Sequence, residues 1–178
     1  IGQFGGKKRD ALFRITGDIK LQYPVLSDHS TECHVLEGDA NDVCDRMPEV
    51  DVAYLDPPYN QHPYGSNYFM LNVLLDYRKP AAVSPVSGIP SDWNRSLYNK
   101  KHMAHDALSS LVEKINAKFL IVSFNSEGFI VRDRMVELLE RFGTLTVLET
   151  SYNAFRGSRN LSGRDIHVRE FLFLLEKR

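Results

Sequence analysis

Asp56-Pro57-Pro58-Tyr59 is the stretch whose residue types could do chemistry. A carboxylate accepts hydrogen bonds and carries none of its own to donate when ionised. Proline lacks an N–H and fixes φ, so two in succession hold the Pro57 carbonyl in one direction. A tyrosine ring offers a face for stacking. Together they form a slot for a planar ring that carries an amine, with Asp56 accepting one N–H and the Pro57 carbonyl the other. An amine conjugated with its ring is a poor nucleophile, and two acceptors on its hydrogens return electron density to nitrogen. A plain strand-end turn, in which Asp and Pro punctuate the chain and Tyr packs, is the competing reading.

Asp51 to Leu55 is a short apolar strand pattern, so the tetrapeptide stands at a strand's carboxyl end, where open α/β sheets bind ligands. Residues 33–37, 119–124, 144–150 and 170–175 read as further strands; residues 119–124 form a near-continuous apolar run suited to burial on both faces. Tyr68, Leu71 and Leu75 recur at helical spacing, as do Met103, Ala107, Leu111 and Ile115, and Val131, Met135, Leu138 and Phe142, with Gly143 a natural helix stop. Alternating strands and helices predict an α/β fold with a mostly parallel sheet, closed by an antiparallel hairpin because the last two strands lack a helix between them. Residues 78–98 hold Pro80, Pro85 and Pro90 and are too long for an ordinary connection.

The 178 residues fit one domain, with no membrane-length apolar run and no signal peptide. Cys33 and Cys44 have neither a CxxC partner nor a zinc spacing, as expected of reduced thiols in a cytoplasmic protein, and no metal site is predicted. Net charge is −1, yet it is unevenly placed. Lys7, Lys8, Arg9, Arg14 and Lys20 crowd the start, and Arg156, Arg159, Arg164 and Arg169 the end, with acidic residues between Glu32 and Glu49. Two basic zones around an acidic middle could cradle a phosphate backbone or be solvated surface.

The string LDPPYNQHPYGSNYFMLN resembles the active-site region of the Dam-like N6-adenine DNA methyltransferases. The resemblance covers roughly residues 33 to 178. It implies a Rossmann-like, S-adenosylmethionine-dependent fold, with the target adenine flipped out of the duplex into the slot of Asp56, Pro57, Pro58 and Tyr59. Asp39, in Glu37-Gly38-Asp39-Ala40, inherits a cofactor-binding role; a helix N-cap ahead of Asn41 is equally open. Ala40, Asp56, Tyr64, Asn67 and Tyr68 are the other candidates for cofactor contact. Ser123 to Gly128 look like the family's next strand end and are expected to shape the pocket floor, while capping by Asn125 or Ser126 is compatible with that. Asn60 is a candidate for substrate contact. Tyr152 or Phe155 could stack on the base, and Arg156 or Arg159 could hold phosphate, although an exposed basic loop fits those residues equally well. His62 is read as a loop histidine.

One departure stands out. Family members carry a Phe-x-Gly-x-Gly loop that wraps the cofactor's methionine end, and Ile1-Gly2-Gln3-Phe4-Gly5-Gly6 does not match it. The loop is therefore expected upstream of residue 1, in a longer protein. Residues 78–102, with Trp93, Arg95, Tyr98, Lys100 and Lys101, are the candidate target-recognition segment. The resemblance points to DNA as partner and allows a cognate restriction endonuclease. Methylation of cytosine or of RNA, an inactive nucleic-acid-binding fragment, and a binder of another nucleotide are the alternatives. The absence of a Gly-rich phosphate loop weakens the last.

Overall fold

The structure, a computed structural model, describes residues 20–85, 88–153 and 167–178. They fall into two compact units, one drawn from residues 20–36 and 68–94 and the other from residues 37–67 and 95–178. The segment 78–102 is divided between them.

Among the described residues, the first unit holds one helix and one turn. Helix α3 (Phe69–Asp76) stops at Tyr77, whose φ of 48° lies in the left-handed region. Val83 and Pro90 then form a single antiparallel bridge. Gly88, at φ 71°, makes the reversal between them, a conformation that glycine adopts without steric cost.

The second unit is a mixed sheet with helices. In chain order come α1 (Ala40–Val43), a 3-10 turn (Cys44–Arg46), β1 (Val50–Leu55), α2 (Tyr64–Asn67), a 3-10 turn (Leu97–Asn99), α4 (Ala104–Lys114), β2 (Ala117–Asn125), α5 (Arg132–Glu140), β3 (Gly143–Asn153) and β4 (His167–Lys177). The strands lie in the order β1-β2-β4-β3. β1 and β2 run parallel, with Val50 beside Ala117 and Leu55 beside Val122. β4 is antiparallel to both β2 and β3.

The terminal hairpin is therefore as expected, but the sheet is mixed and not mostly parallel. β4 enters between β2 and β3, and the strand expected at residues 33–37 does not form. Those residues have no regular structure; Val35 and Leu36 are exposed, and no described strand pairs with them. An extended segment without a ladder partner gains none of the backbone hydrogen bonds that make a strand.

One face of the sheet carries the core. Leu120, Val122 and Phe124 of β2 and Phe171, Phe173 and Leu175 of β4 pack with Leu108, Leu111 and Val112 of α4 and Met135, Leu138 and Leu139 of α5. Alternation along β2 and β4 delivers these residues to the same side. Lys177 closes α4 from the sheet: its Nζ donates to the carbonyls of Val112 at 2.8 Å and Ile115 at 2.7 Å, supplying a cation and two donors at the helix C-terminus. Burial lowers the Lys177 pKa from its ordinary value. Gly143 begins β3 because a Cβ there would run into the Glu176 carbonyl of β4.

Candidate active site at the carboxyl end of the sheet

Parity along the strands sorts the site. On β1, Val52 and Tyr54 point away from the helices and both are exposed. Asp56 follows in the same alternation and is exposed, while Pro57 is buried and Pro58, Tyr59 and Asn60 are half-buried. On β2, Phe119 and Ile121 share that open side with Ser123 and Asn125. Both of the latter are buried polar residues, at 8% and 4% exposure. Glu170 of β4 lies opposite Asn125, and Tyr152 is on β3. The open face is thus apolar along its middle and polar at the carboxyl ends of β1 and β2, with Thr144, Thr146 and Glu176 at its other end.

The turn after β1 is held by its neighbours. The Phe129 N–H donates to the Tyr59 carbonyl at 2.7 Å. Asn99 Nδ2 donates to the Asn60 carbonyl at 2.7 Å. The Tyr59 ring meets Phe124 edge-on, with centroids 5.9 Å apart. Phe124 is in turn confined by Gly128, where a Cβ would collide with its ring. Two consecutive prolines and these three contacts fix the backbone, so that the Asp56 carboxylate projects from a rigid base.

Across from Asp56, Glu170 Oε2 accepts from the Tyr152 hydroxyl at 3.3 Å and Oε1 from the Ser123 hydroxyl at 3.5 Å. Burial raises the Glu170 pKa and the nearby Asp56 charge adds to this, against the two hydrogen bonds. Burial and then the Glu170 charge push the Tyr152 phenol up as well. The Tyr59 charge adds to this push and the nearby Asn125 side chain opposes it. Asp56, Tyr59, Asn125, Tyr152 and Glu170 therefore form one electrostatic neighbourhood.

A second arm of the site is reached through Asn99's neighbour. Asp39 is the N-cap of α1, with Oδ1 accepting the Asn41 N–H at 2.9 Å. This is the capping geometry read as one option from sequence, and Ala40 is the first helical residue. The Tyr98 hydroxyl donates to Asn41 Oδ1 at 2.9 Å, and Asn41 Nδ2 donates to the Ala107 carbonyl at 2.8 Å. Burial, with the Asp39 charge beside it, drives the Tyr98 pKa upward. The turn Leu97–Asn99 thus connects the Asp39 end to the Asp56 end: Tyr98 reaches one and Asn99 the other.

That assignment corrects one expectation. Tyr98 is 5% exposed and belongs to the core, so it is not a DNA-facing member of a recognition segment. Arg95, Lys100 and Lys101 are exposed and Trp93 is half-buried. Tyr64 and Asn67 bound the short helix α2 and are exposed, and Tyr68 opens the first unit. The Asn60 side chain is occupied locally, its Oδ1 accepting the His62 N–H at 3.0 Å. His62 is exposed, its ring 3.4 Å from Gln61 Nε2. Asn125 caps the turn after β2 by accepting the Glu127 N–H, and Ser126 Oγ accepts the Arg169 N–H. Phe155, Arg156 and Arg159 lie outside the described residues, as do Lys7, Lys8, Arg9, Arg14 and Arg164. Both cysteines are free, Cys33 exposed and Cys44 buried. Among the described residues no cluster of His, Cys, Asp or Glu could hold a metal ion, and no helix is long and apolar enough to cross a membrane.

A model of the D12 class N6 adenine-specific DNA methyltransferases matches residues 3–137. The chain belongs to this family. The matched span of this D12 chain contains the Asp56–Tyr59 turn, the 97–99 brace and the strand end at Asn125. Individual relatives agree. The type II methyltransferase M.NlaIII of Neisseria lactamica is 30% identical over 159 residues, which are 86% of this chain and 46% of that protein. M.CviAII of Paramecium bursaria Chlorella virus 1, also a type II methyltransferase, is 28% identical over 92% of this chain and 48% of its own length. M.FokI of Planomicrobium okeanokoites is 26% identical over 99% of this chain and 27% of its own. The D12 chain spans about half the length of the first two and about a quarter of the third.

Proposed function

We propose that this chain is the catalytic portion of a DNA adenine N6-methyltransferase that uses S-adenosylmethionine, and that its sheet is part of a Rossmann-like methyltransferase sheet. The observation that carries the reading is the exposed Asp56 carboxylate on an immobilised Asp-Pro-Pro-Tyr turn at the carboxyl end of β1, in a chain of the D12 class. The family's description names the chemistry as transfer to adenine N6, and the turn has the acceptors for it.

The donor chemistry at this strand end fits the cofactor. The exposed Asp56 carboxylate stands at this strand end, and a cationic sulfonium would be favoured beside it. Asp39 and Ala40 would hold the adenosine end and Asp56 would face the methyl end. S-adenosylmethionine, when bound, supplies an electrophilic methyl group. The chain's own residues orient the nucleophile. Asp56 and the Pro57 carbonyl accept the two N–H bonds of an adenine flipped from its duplex, and Tyr59 stacks on the ring. As nitrogen develops positive charge, the two acceptors stabilise it without reorganising. Once the new N–C bond is complete the amine proton is acidic and leaves to water, so no general base is required before transfer. Tyr152, on the far side of Asn125, would line the same slot, and Phe155, Arg156 and Arg159 are candidates for contact with base and phosphate.

The relatives' names are those of type II methyltransferases, so the natural partner is duplex DNA carrying a short recognition sequence, with a restriction endonuclease of the same specificity. Arg95, Lys100 and Lys101 would neutralise phosphates. Their replacement by Ala should flatten the dependence of DNA affinity on salt by about one unit of log–log slope for each phosphate no longer neutralised; a slope identical to wild type would remove them from the interface. The reaction itself is tested by incubating labelled S-adenosylmethionine with unmethylated duplex DNA and digesting to nucleosides. Label in N6-methyladenine is expected, and label only in cytosine or in added RNA would overturn the substrate assignment.

A further inference from the structure

β4 is an apolar strand, His167–Lys177 reading HVREFLFLLEK, with a carboxylate placed where the open face turns polar. Among the described residues the fold sets no cation against that carboxylate. Arg169, its neighbour in sequence, is on the opposite side of the strand and pairs with Glu149 at 3.2 Å; Arg132 approaches Glu149 too, at 3.9 Å. Glu170 instead faces Asp56, a like charge, and is half-buried. Both circumstances disfavour its ionised form. Holding a half-buried carboxylate beside a like charge costs the fold stability, and such a placement calls for a reason other than stability.

What Glu170 touches supplies the reason. Its two oxygens accept from two hydroxyls, Tyr152 Oη of β3 and Ser123 Oγ of β2, on the strands that flank it. Ser123 and the nearby Asn125 are the buried polar residues of the described chain, and Asn125 lies opposite Glu170 in the ladder. A tyrosine on an exposed strand end would otherwise choose among several rotamers. Here its hydroxyl is tied to Glu170.

We infer that Glu170 is a positioning residue, which grips the Tyr152 hydroxyl and, through Ser123, the end of β2, so that the Tyr152 ring stands as a fixed wall of the slot opened by Asp56 and Tyr59. The inference rests on the methyltransferase reading for its catalytic consequence but not for its structural content. The ring needs to be in place before the base arrives, because a wall that must be ordered during binding adds to the barrier.

The conservative replacement separates positioning from charge. In Glu170→Gln the amide oxygen still accepts from Tyr152 and the amide nitrogen donates to Ser123 Oγ. Glu170→Ala leaves both hydroxyls without their acceptor. In the whole protein, methyl transfer to unmethylated duplex DNA is expected to lose about 10-fold in kcat in Glu170→Ala and Tyr152→Ala, and to stay within about 3-fold of wild type in Glu170→Gln. The KM for DNA should change less than kcat. A second readout is independent of activity. With 13C-labelled tyrosine, the Tyr152 ring resonance, assigned by its disappearance in Tyr152→Phe, should keep its position and width in Glu170→Gln and shift or broaden in Glu170→Ala. Equal losses of kcat in the Gln and Ala variants would overturn positioning in favour of charge. An unchanged Tyr152 resonance in Glu170→Ala would overturn the contact itself. If the wild type transfers no methyl to DNA, the methyltransferase reading fails, and the resonance alone decides the inference.

Discussion

The two faces of the four-stranded sheet are made from the same strands and treated differently. Toward the helices, Leu120, Val122, Phe124, Phe171, Phe173 and Leu175 are all nearly or wholly inaccessible. On the other side, one residue along in each strand, Val52 is 53% exposed and Phe119 44%, with Leu148 and Leu172 also exposed. At the carboxyl ends of β1 and β2 the open face gathers Asp56, Ser123, Asn125, Tyr152 and Glu170; at its other end it carries Thr144, Thr146 and Glu176. The covered face supplies the stability, and the open face carries the candidate site. A rigid core behind β1 and β2 is what allows two carboxyl groups to be held near one another in front of them.

Substitutions on the two faces should therefore separate stability from activity, and the largest stability effect belongs to the covered face. Leu120→Ala, at a site with 0% exposure, should cost about 2–5 kcal/mol, read from urea denaturation. A loss below about 1 kcal/mol would mean that the helices do not pack as described. Gly128→Ala comes next. Its methyl must displace the Phe124 ring, which supports Tyr59, so overpacking of about 1–3 kcal/mol should be accompanied by reduced methyl transfer. Stability lost with kcat intact would uncouple Phe124 from the slot. Asn99→Ala removes the donor to the Asn60 carbonyl and should cost about 1 kcal/mol, with a loss of activity larger than the stability change explains. Val52→Thr, on the exposed side of edge strand β1, should stay within about 0.5 kcal/mol of wild type in the same denaturation experiment. A loss comparable with that of Leu120→Ala would show that the open face is covered in solution.

The sequence made the core elements readable for a local reason. Apolar runs and helical spacings lie within a few residues, and β1, β2, α4, α5 and the β3–β4 hairpin form where those patterns are found. The strand expected at residues 33–37 has a comparable pattern, but a strand also needs a partner, and pairing is not written in a single segment. The Asp56–Tyr59 turn was legible because all of its chemistry is consecutive. Its supports were not. Asn99 reaches Asn60 from 39 residues away, and Glu170 reaches Ser123 across 47. Tyr98 carried the mixed aromatic and basic surroundings of a surface segment, yet its hydroxyl finds Asn41 57 residues away and the ring is buried. The signal that could have singled out Glu170 is its position, a carboxylate directly before the apolar run Phe171 to Leu175.

The central claim is that an exposed carboxylate on a rigid turn activates an adenine amine. The most direct measurement compares the wild type with Asp56→Ala in transfer of labelled methyl from S-adenosylmethionine to duplex DNA, with unfolding followed in parallel. Asp56 is exposed and unneeded by the core, so the variant should unfold within about 0.5 kcal/mol of wild type. Its yield of N6-methyladenine should fall by about 100-fold or more. Wild-type rates of transfer from a folded Asp56→Ala protein would contradict the account.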